Sequence, residues 1–518
     1  MRSSRLESGS EISLLEGWRF GSIQPSVILC PARTRVLRRP PPRPPMTRRT
    51  RALWPSLLSA LALLVLAPRA RALALQSDRT APEWESVLER MTESGQQIVD
   101  DGLTVGMVLG IVRGGERHVL AFGETELGSG EAPDAESIYE IGSVSKVFTG
   151  IMLADAVTRD LVKLDDSVEE LVGGDFELKQ FEDQPIQLWH LSTHTSGLPR
   201  MPGNFHPANA EDPYADYSLE QMQEALTRYE LRRAPGETYA YSNLGVGWLG
   251  NLLVQVNEQE DGYAGLLRQR IAEPLGLEHT STELSPWMSE HLVPGYDADQ
   301  NPKTNWTLTA FAGAGGIRSN ANDMLSFAEA CLHPDEGPLA AALKLSMEIR
   351  HREDRGPRIG LGWHAASNER TRWHNGQTGG YHTFFAIWPE GDVGVVLLSN
   401  TSNGLMDLWA DSAVLLMMGR EPHELSYKKP IPVDPVICEQ VAGEYKMGLM
   451  SKLTVSFRDG RMYAQMSFQP ELRIYPSETD RFFYRAVEAE LVFKRDESGA
   501  VIGVEIEQGG ATTKGKRL

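Results

Sequence analysis

Lysine is absent from the first 74 residues, acids are nearly absent there, and cysteine is scarce throughout. That opening stretch holds 13 Arg, no Lys and 3 acidic residues, a net charge of +10. The whole chain of 518 residues carries −19, which leaves −29 on the remainder. A body that acidic repels a phosphate backbone, so nucleic acid is excluded as the natural partner. Of the 3 cysteines, Cys30 lies in the basic head, leaving Cys331 and Cys438. Two thiols make no disulfide framework. They read as small buried hydrophobes, with pairing after export left open. Nor does any apolar run reach the ~20 residues of a membrane-spanning helix; the best candidate, Leu53–Ala67, is interrupted by Pro55.

That segment fits a different role. From Met46, "MTRRTRALWPSLLSALALLVLAPRARALALQ" places Arg48, Arg49 and Arg51 ahead of the apolar stretch and small residues after it. This is the layout of a secretory signal over 46–74, cleaved after Ala72 or Ala74, and it implies a periplasmic or secreted protein with no membrane span after its removal. Residues 1–45 are Arg- and Pro-rich and would bury the signal inside the chain, so they read as an over-extended start. A twin-arginine reading of Arg48 and Arg49 fits poorly, because Arg51 stands where an apolar residue is needed.

What remains is ordinary globular composition, 41% hydrophobic and 23% charged. "TVGMVLGIVRGGERHVLAFG" predicts a hairpin, Thr104–Val112 and Arg117–Phe122, turning at Gly114 and Gly115. Helical patterns fill the chain from about 143 to 350. One of them, "SNANDMLSFAEACL", offers Ser319 or Asn320 as its N-cap. Strands return in "YHTFFAIW" and "VGVVLLS", joined by the turn "PEGD", and a helix Met406–Met418 follows. Strands at both ends with helices between them predict one α/β unit over 80–421, its sheet closed by its termini. A proline-punctuated linker, 422–436, precedes short alternating segments over 437–518 that predict a small all-β barrel or sandwich.

The chemistry starts at "YEIGSVSKVFTG". Ser143 and Lys146 are three apart and share a helix face. They stand at the head of a run, Val147–Val157, that is apolar except for Thr149 and Asp155, as a helix buried on most sides would be. Desolvation there lowers a lysine pKa and gives the serine a base, with the field of a helix N-terminus assisting. Serine and lysine at this spacing recur by chance, and Ser426–Lys429 in the linker is such a copy without a buried helix. Two rarer groupings accompany the first copy. Of 14 tyrosines only Tyr241 opens a Tyr-x-Asn, and of 12 histidines only His374 opens a His-x-Gly. Residues two apart in an extended segment face the same way, which brings Asn243 to the same site as Tyr241.

"YEIGSVSK", "LSTHTSGLP", Tyr241–Asn243, "GAGGIRSNANDM" and "HNGQTGG" together resemble the class C serine β-lactamases and the DD-peptidases and esterases that share their fold, over about residues 85 to 420. The resemblance implies an antiparallel sheet flanked by helices plus a helical region, the DD-peptidase transpeptidase-like fold. It also implies an acyl-enzyme mechanism without a cofactor or metal. Ser143 would be the nucleophile, with Lys146 and Tyr241 taking its proton. Backbone N–H groups of Ser143 and Gln377 would form the oxyanion hole, and Asn243 would hold the substrate amide, with His374, Asn375 and Gly376 lining the substrate site. His190 and His194 have a metal-ligand spacing, but no Glu follows His190 as a zinc hydrolase requires, and the family histidine there is structural. The C-terminal module is similar to small lipocalin-like domains appended to some relatives.

One departure concerns substrate. The family commonly carries Lys-Thr-Gly where this chain has His374-Asn375-Gly376. An unperturbed imidazole titrates near 6.5, so a carboxylate handle at His374 would weaken between about pH 6 and 8. Arg372, two residues earlier, is a candidate substitute. The first expectation is hydrolysis of β-lactams or related amides. Rivals are a D-Ala-D-Ala carboxypeptidase or D-amino-acid peptidase, a carboxylesterase, and a non-catalytic peptidoglycan or ligand binder, which would have no need of serine, lysine and tyrosine together. Oligomeric state is left open.

Overall fold

The computed structural model describes residues 83–518, apart from 175, 355, 433, 449, 450 and 468; the proposed signal and the stretch before it lie outside the described residues. The first helix, α1 (Trp84–Asp100), leads into β1 (Gly106–Arg113) and β2 (Glu116–Gly123). Gly114 and Gly115 turn this hairpin at φ +61° and +78°, a region open to glycine. The sheet is completed from the far end of the chain by β3 (His351–Arg352), β4 (Arg358–Ile359), β5 (His364–Ala365), β6 (Arg372–Gln377), β7 (His382–Trp388) and β8 (Val393–Ser399). Its order is β2-β1-β8-β7-β6-β5-β4-β3, antiparallel throughout, with Met107 opposite Ser399 where the two ends of the chain meet.

Side chains alternate across this sheet, and both faces are covered. Val396 and Leu398 of β8 enter the core shared with the helical region, whereas Val393, Val395 and Leu397 enter the core under α1 and α5 (Leu405–Met417). The helical insertion contributes α2 (Ser145–Thr158), α3 (Asn243–Val256) and α4 (Ala321–Leu332). Asn320 caps α4, its side chain accepting from Asp323 N–H at 2.9 Å. Every residue from Ser145 to Ala156 in α2 is buried. Its close fit needs glycine: a Cβ on Gly150 would come 2.1 Å from the Leu361 carbonyl. Cys331 and Cys438 are free and buried.

Beyond α5 the chain reaches a short helix, Pro435–Val441, and a closed eight-stranded barrel whose first strand, Gly443–Lys446, pairs with its last, Ala511–Arg517. The barrel has its own core, including Tyr445, Phe482, Leu491 and Phe493. The segment ahead of it is tied down at several points. Tyr427 Oη donates to Asp101 at 2.6 Å, Lys429 pairs with Asp101 at 2.8 Å, and Ile431 N–H donates to the Pro476 carbonyl at 2.8 Å. Lys429 of the chance Ser426–Lys429 copy is therefore an ion-pair partner of Asp101 at the C-terminal end of α1.

The barrel docks through a second cluster. Arg485 donates to the Gly102 and Asp101 carbonyls, and Asp299 accepts from Tyr475 Oη at 3.1 Å and Arg473 N–H at 3.3 Å. Burial pushes the Asp299 carboxyl up to about 6, and the nearby Asp297 charge acts the same way. A carboxyl with a raised folded-state pKa holds its proton more tightly when folded. Its contribution is fully present below about pH 4 and is lost as pH rises to about 6, at most about 3 kcal/mol. Asp299→Asn should therefore gain melting temperature relative to wild type between pH 4.5 and 7. Parallel melting curves across that window would contradict the assignment.

Candidate active site

Ser143 sits in a tight 3-10 turn, Gly142–Val144, that runs directly into α2. Gly142 takes φ +50°, and a Cβ there would lie 2.7 Å from Gln377 N; a Cβ on Gly376 would lie 2.0 Å from the Ile141 carbonyl. Only glycine permits this approach of the serine turn to the end of β6. It brings the backbone of Gln377 beside that of Ser143, and both residues line one small cleft. Ser143, Asn243 and Gln377 line the same cleft with Tyr214, Trp306 and Thr378.

Lys146 is fully buried, its Nζ 2.9 Å from Ser143 Oγ and 2.5 Å from the Ala314 carbonyl. Burial, reinforced by the Arg200 charge, holds the amine well below the usual lysine range. The motif around Ala314 is built onto α2: Ile317 N–H donates to Ser145 Oγ at 3.1 Å, and Thr149 Oγ1 donates to the Gly313 carbonyl at 2.7 Å. Tyr241 is half-buried, with Lys146 Nζ 5.0 Å from its ring centroid. Burial pushes the phenol up to about 12, against the opposing effects of Ser143 and Arg200. Tyr241 is thus protonated at neutral pH. Of the two, Lys146 is the group whose environment favours an unprotonated base.

Ser242 caps α3, its Oγ accepting from Gly245 N–H at 2.9 Å, which places Asn243 on the first helical turn. The Asn243 Oδ1 is buried without a partner. An unpaired acceptor is costly unless a ligand supplies the donor, and a substrate amide N–H is such a donor. His194 Nδ1 accepts from Ser242 N–H at 3.1 Å, and its ring stacks on Tyr241 at 4.3 Å. His190 Nδ1 accepts from Gln187 N–H at 3.0 Å. Both histidines accept from backbone N–H groups.

Two expectations on β6 need correction. Alternation along the strand sends His374 and Gly376 toward the serine, and Asn375 and Gln377 side chains through to the other face. Asn375 Nδ2 donates to Asp407 of α5 at 2.7 Å, and His382 Nε2 meets the other Asp407 oxygen at 2.7 Å. The Asn375 side chain thus stays out of the cleft. Arg372 is also occupied, donating to the Met347 carbonyl at 3.0 Å and the Glu369 carbonyl at 2.7 Å.

His374 faces the site, its ring centroid 6.4 Å from that of Tyr241. It is 1% exposed, with Nδ1–H donating to the Asn375 carbonyl at 2.6 Å and Nε2 unpaired. Burial, with His364 and Lys146 adding to it, holds the imidazole well below its usual 6.5. The titration between pH 6 and 8 anticipated for an unperturbed histidine is therefore absent. KM for an anionic substrate should stay flat from pH 6 to 8 in parallel with that for a neutral one. A rise confined to the anionic substrate and abolished in His374→Gln would contradict this.

The sequence reading omitted Arg200, which directly follows "LSTHTSGLP" and whose guanidinium carbon lies 5.0 Å from the Tyr241 ring centroid. It also omitted Thr378, whose buried Oγ1 has no partner in the same cleft.

The serine thus lies 2.9 Å from a desolvated lysine amine, with the Tyr241 ring beside that amine, where the serine turn meets the end of β6. The Beta-lactamase family model matches residues 95–415, and the chain belongs to that family. It is 28% identical over 359 residues to the D-alanyl-D-alanine-carboxypeptidase/endopeptidase AmpH of Escherichia coli K12, covering 64% of this chain and 90% of that protein. Penicillin-binding protein 4* of Bacillus subtilis 168 is 25% identical over 438 residues, 78% of this chain and 93% of its own length. A β-lactamase of Escherichia coli K12 is 24% identical over 332 residues, 57% and 84% respectively. Among solved structures, a β-lactamase/D-alanine carboxypeptidase from Yersinia pestis complexed with citrate shares the fold with a TM-score of 0.55 at 22% identity, covering 65% of this chain and 99% of that one. The protein is a serine hydrolase of the β-lactamase/DD-peptidase family.

Proposed function

We propose that the chain is an exported hydrolase that cleaves β-lactams or related amides through an acyl-enzyme on Ser143. The observation that carries this reading is the 2.9 Å approach of a wholly buried Lys146 amine to Ser143 Oγ. Ser143 Oγ attacks the amide carbonyl while its proton passes to the Lys146–Tyr241 pair. The carbonyl oxygen, now negative, takes N–H bonds from Ser143 and Gln377. Collapse breaks the C–N bond, and the pair returns the proton to the leaving nitrogen. Water then attacks the ester, again giving its proton to the pair, and the acid departs as Ser143 is restored. Asn243 orients the amide of the substrate, and neutral His374 and Gly376 border it without supplying charge.

A second substrate reading, a D-alanyl peptide, is favoured by the 28% identity to AmpH. Purified protein assayed with a chromogenic cephalosporin, a D-Ala-D-Ala peptide and a short-chain ester separates these readings. Turnover of the cephalosporin above the peptide supports the first, the reverse order supports the second, and turnover of the ester alone refutes both. Export belongs to the same proposal: the mature N-terminus should begin at Leu73 or Leu75.

A further inference from the structure

Substrate recognition in this cleft lacks a cation where the family commonly has a lysine, and the structure offers another. The residues around Ser143, namely Tyr214, Asn243, Trp306, Phe311 and Thr378, are all uncharged. Lys146 is buried against Ser143 and Ala314, and His374 is neutral. Arg200 is exposed, and among the described residues no carboxylate pairs with it. Its position is nonetheless fixed. The Arg200 carbonyl accepts from Asn243 N–H at 3.0 Å and Leu244 N–H at 3.2 Å, tying it to the start of α3, and its guanidinium lies over the Tyr241 ring at 5.0 Å from the centroid. Its charge is also felt at Tyr214, on the cleft wall.

We infer that Arg200 forms an anion subsite at the Tyr241–Asn243 edge of the cleft, selecting acyl donors that carry a carboxylate on the part retained by Ser143. The inference rests on Ser143 being the nucleophile. A cation held over an aromatic face by the ring quadrupole keeps its N–H donors available for a bidentate carboxylate. A side chain held in this way loses less freedom on binding than a free one. The subsite lies beside Asn243, which the proposed mechanism assigns to the amide of the acyl portion. It therefore reads the acyl group and not the leaving group.

Arg200 also lowers the Lys146 pKa, an effect that acts on every substrate alike, so the test must be a ratio. Two nitrophenyl esters serve, built on the same long dicarboxylic acid. One has its far carboxylate free and the other has it as a primary amide. In Arg200→Gln, kcat/KM for the acid should fall roughly 10- to 100-fold relative to that for the amide, and Arg200→Lys should recover part of the loss. An unchanged ratio in Arg200→Gln, with Ser143 still acylated by both esters, overturns the subsite and leaves the nucleophile standing. Failure of both esters to acylate Ser143 in the wild type overturns the nucleophile and the subsite together.

Discussion

Ser143→Ala is expected to lose turnover by on the order of 10^4-fold or more, because no other group at the site forms the covalent intermediate. The fold should survive. Ser143 is half-buried in a three-residue turn, and the hydroxyl deleted there accepts from Lys146 Nζ, the group it is meant to react with. Lys146 keeps its second partner, the Ala314 carbonyl, at 2.5 Å. Melting temperature should therefore move little, within the roughly 0.5–3 kcal/mol of most single substitutions. Near-normal turnover in the variant would end the acyl-enzyme account, whereas loss of activity with loss of folding would be met by comparing Ser143→Gly.

The second large effect is at Lys146. Lys146→Ala should cost acylation about 10^2- to 10^4-fold, the range for a positioned general base. Lys146→Arg should do no better, since a guanidinium keeps its charge at any working pH and cannot accept the serine proton. Recovery of activity in the arginine variant would show that positive charge, not basicity, is what the site needs. The lowered pKa gives a second readout. The unfolded chain binds a proton to this amine that the folded chain resists, so the lysine costs stability at neutral pH and the cost fades as pH rises toward about 10.4. Between pH 7 and 10 the stability of the wild type should therefore rise relative to that of Lys146→Ala.

Much of the frame was legible in the sequence because its signals are local. The Gly114–Gly115 hairpin, the returning strands β7 and β8, the Asn320 cap and the apolar run of α2 all follow from periods of two or 3.6 and from turn residues. Ser143, Lys146 and Tyr241 were legible by type and spacing, and the fold brings them into contact. Asn375 shows a signal available but unused: strand alternation alone puts its side chain opposite to His374. The pKa of His374 is different, because it is lowered by burial, His364 and Lys146, and none of these can be read from the neighbouring sequence. Arg200 stood next to a recognised motif, but its place over the Tyr241 ring depends on the loop closing onto α3. The docking of the barrel through Arg485, Tyr475 and Asp299 joins residues from distant parts of the chain, where no periodicity points from one to another.

The most direct measurement is the mass of the intact protein after brief exposure to an acylating β-lactam, followed by peptide mapping. The account predicts a single adduct of the β-lactam's full mass on the peptide containing Ser143, absent in Ser143→Ala and slow to appear in Lys146→Ala. An adduct on another residue, or one that forms equally well in Ser143→Ala, would contradict it.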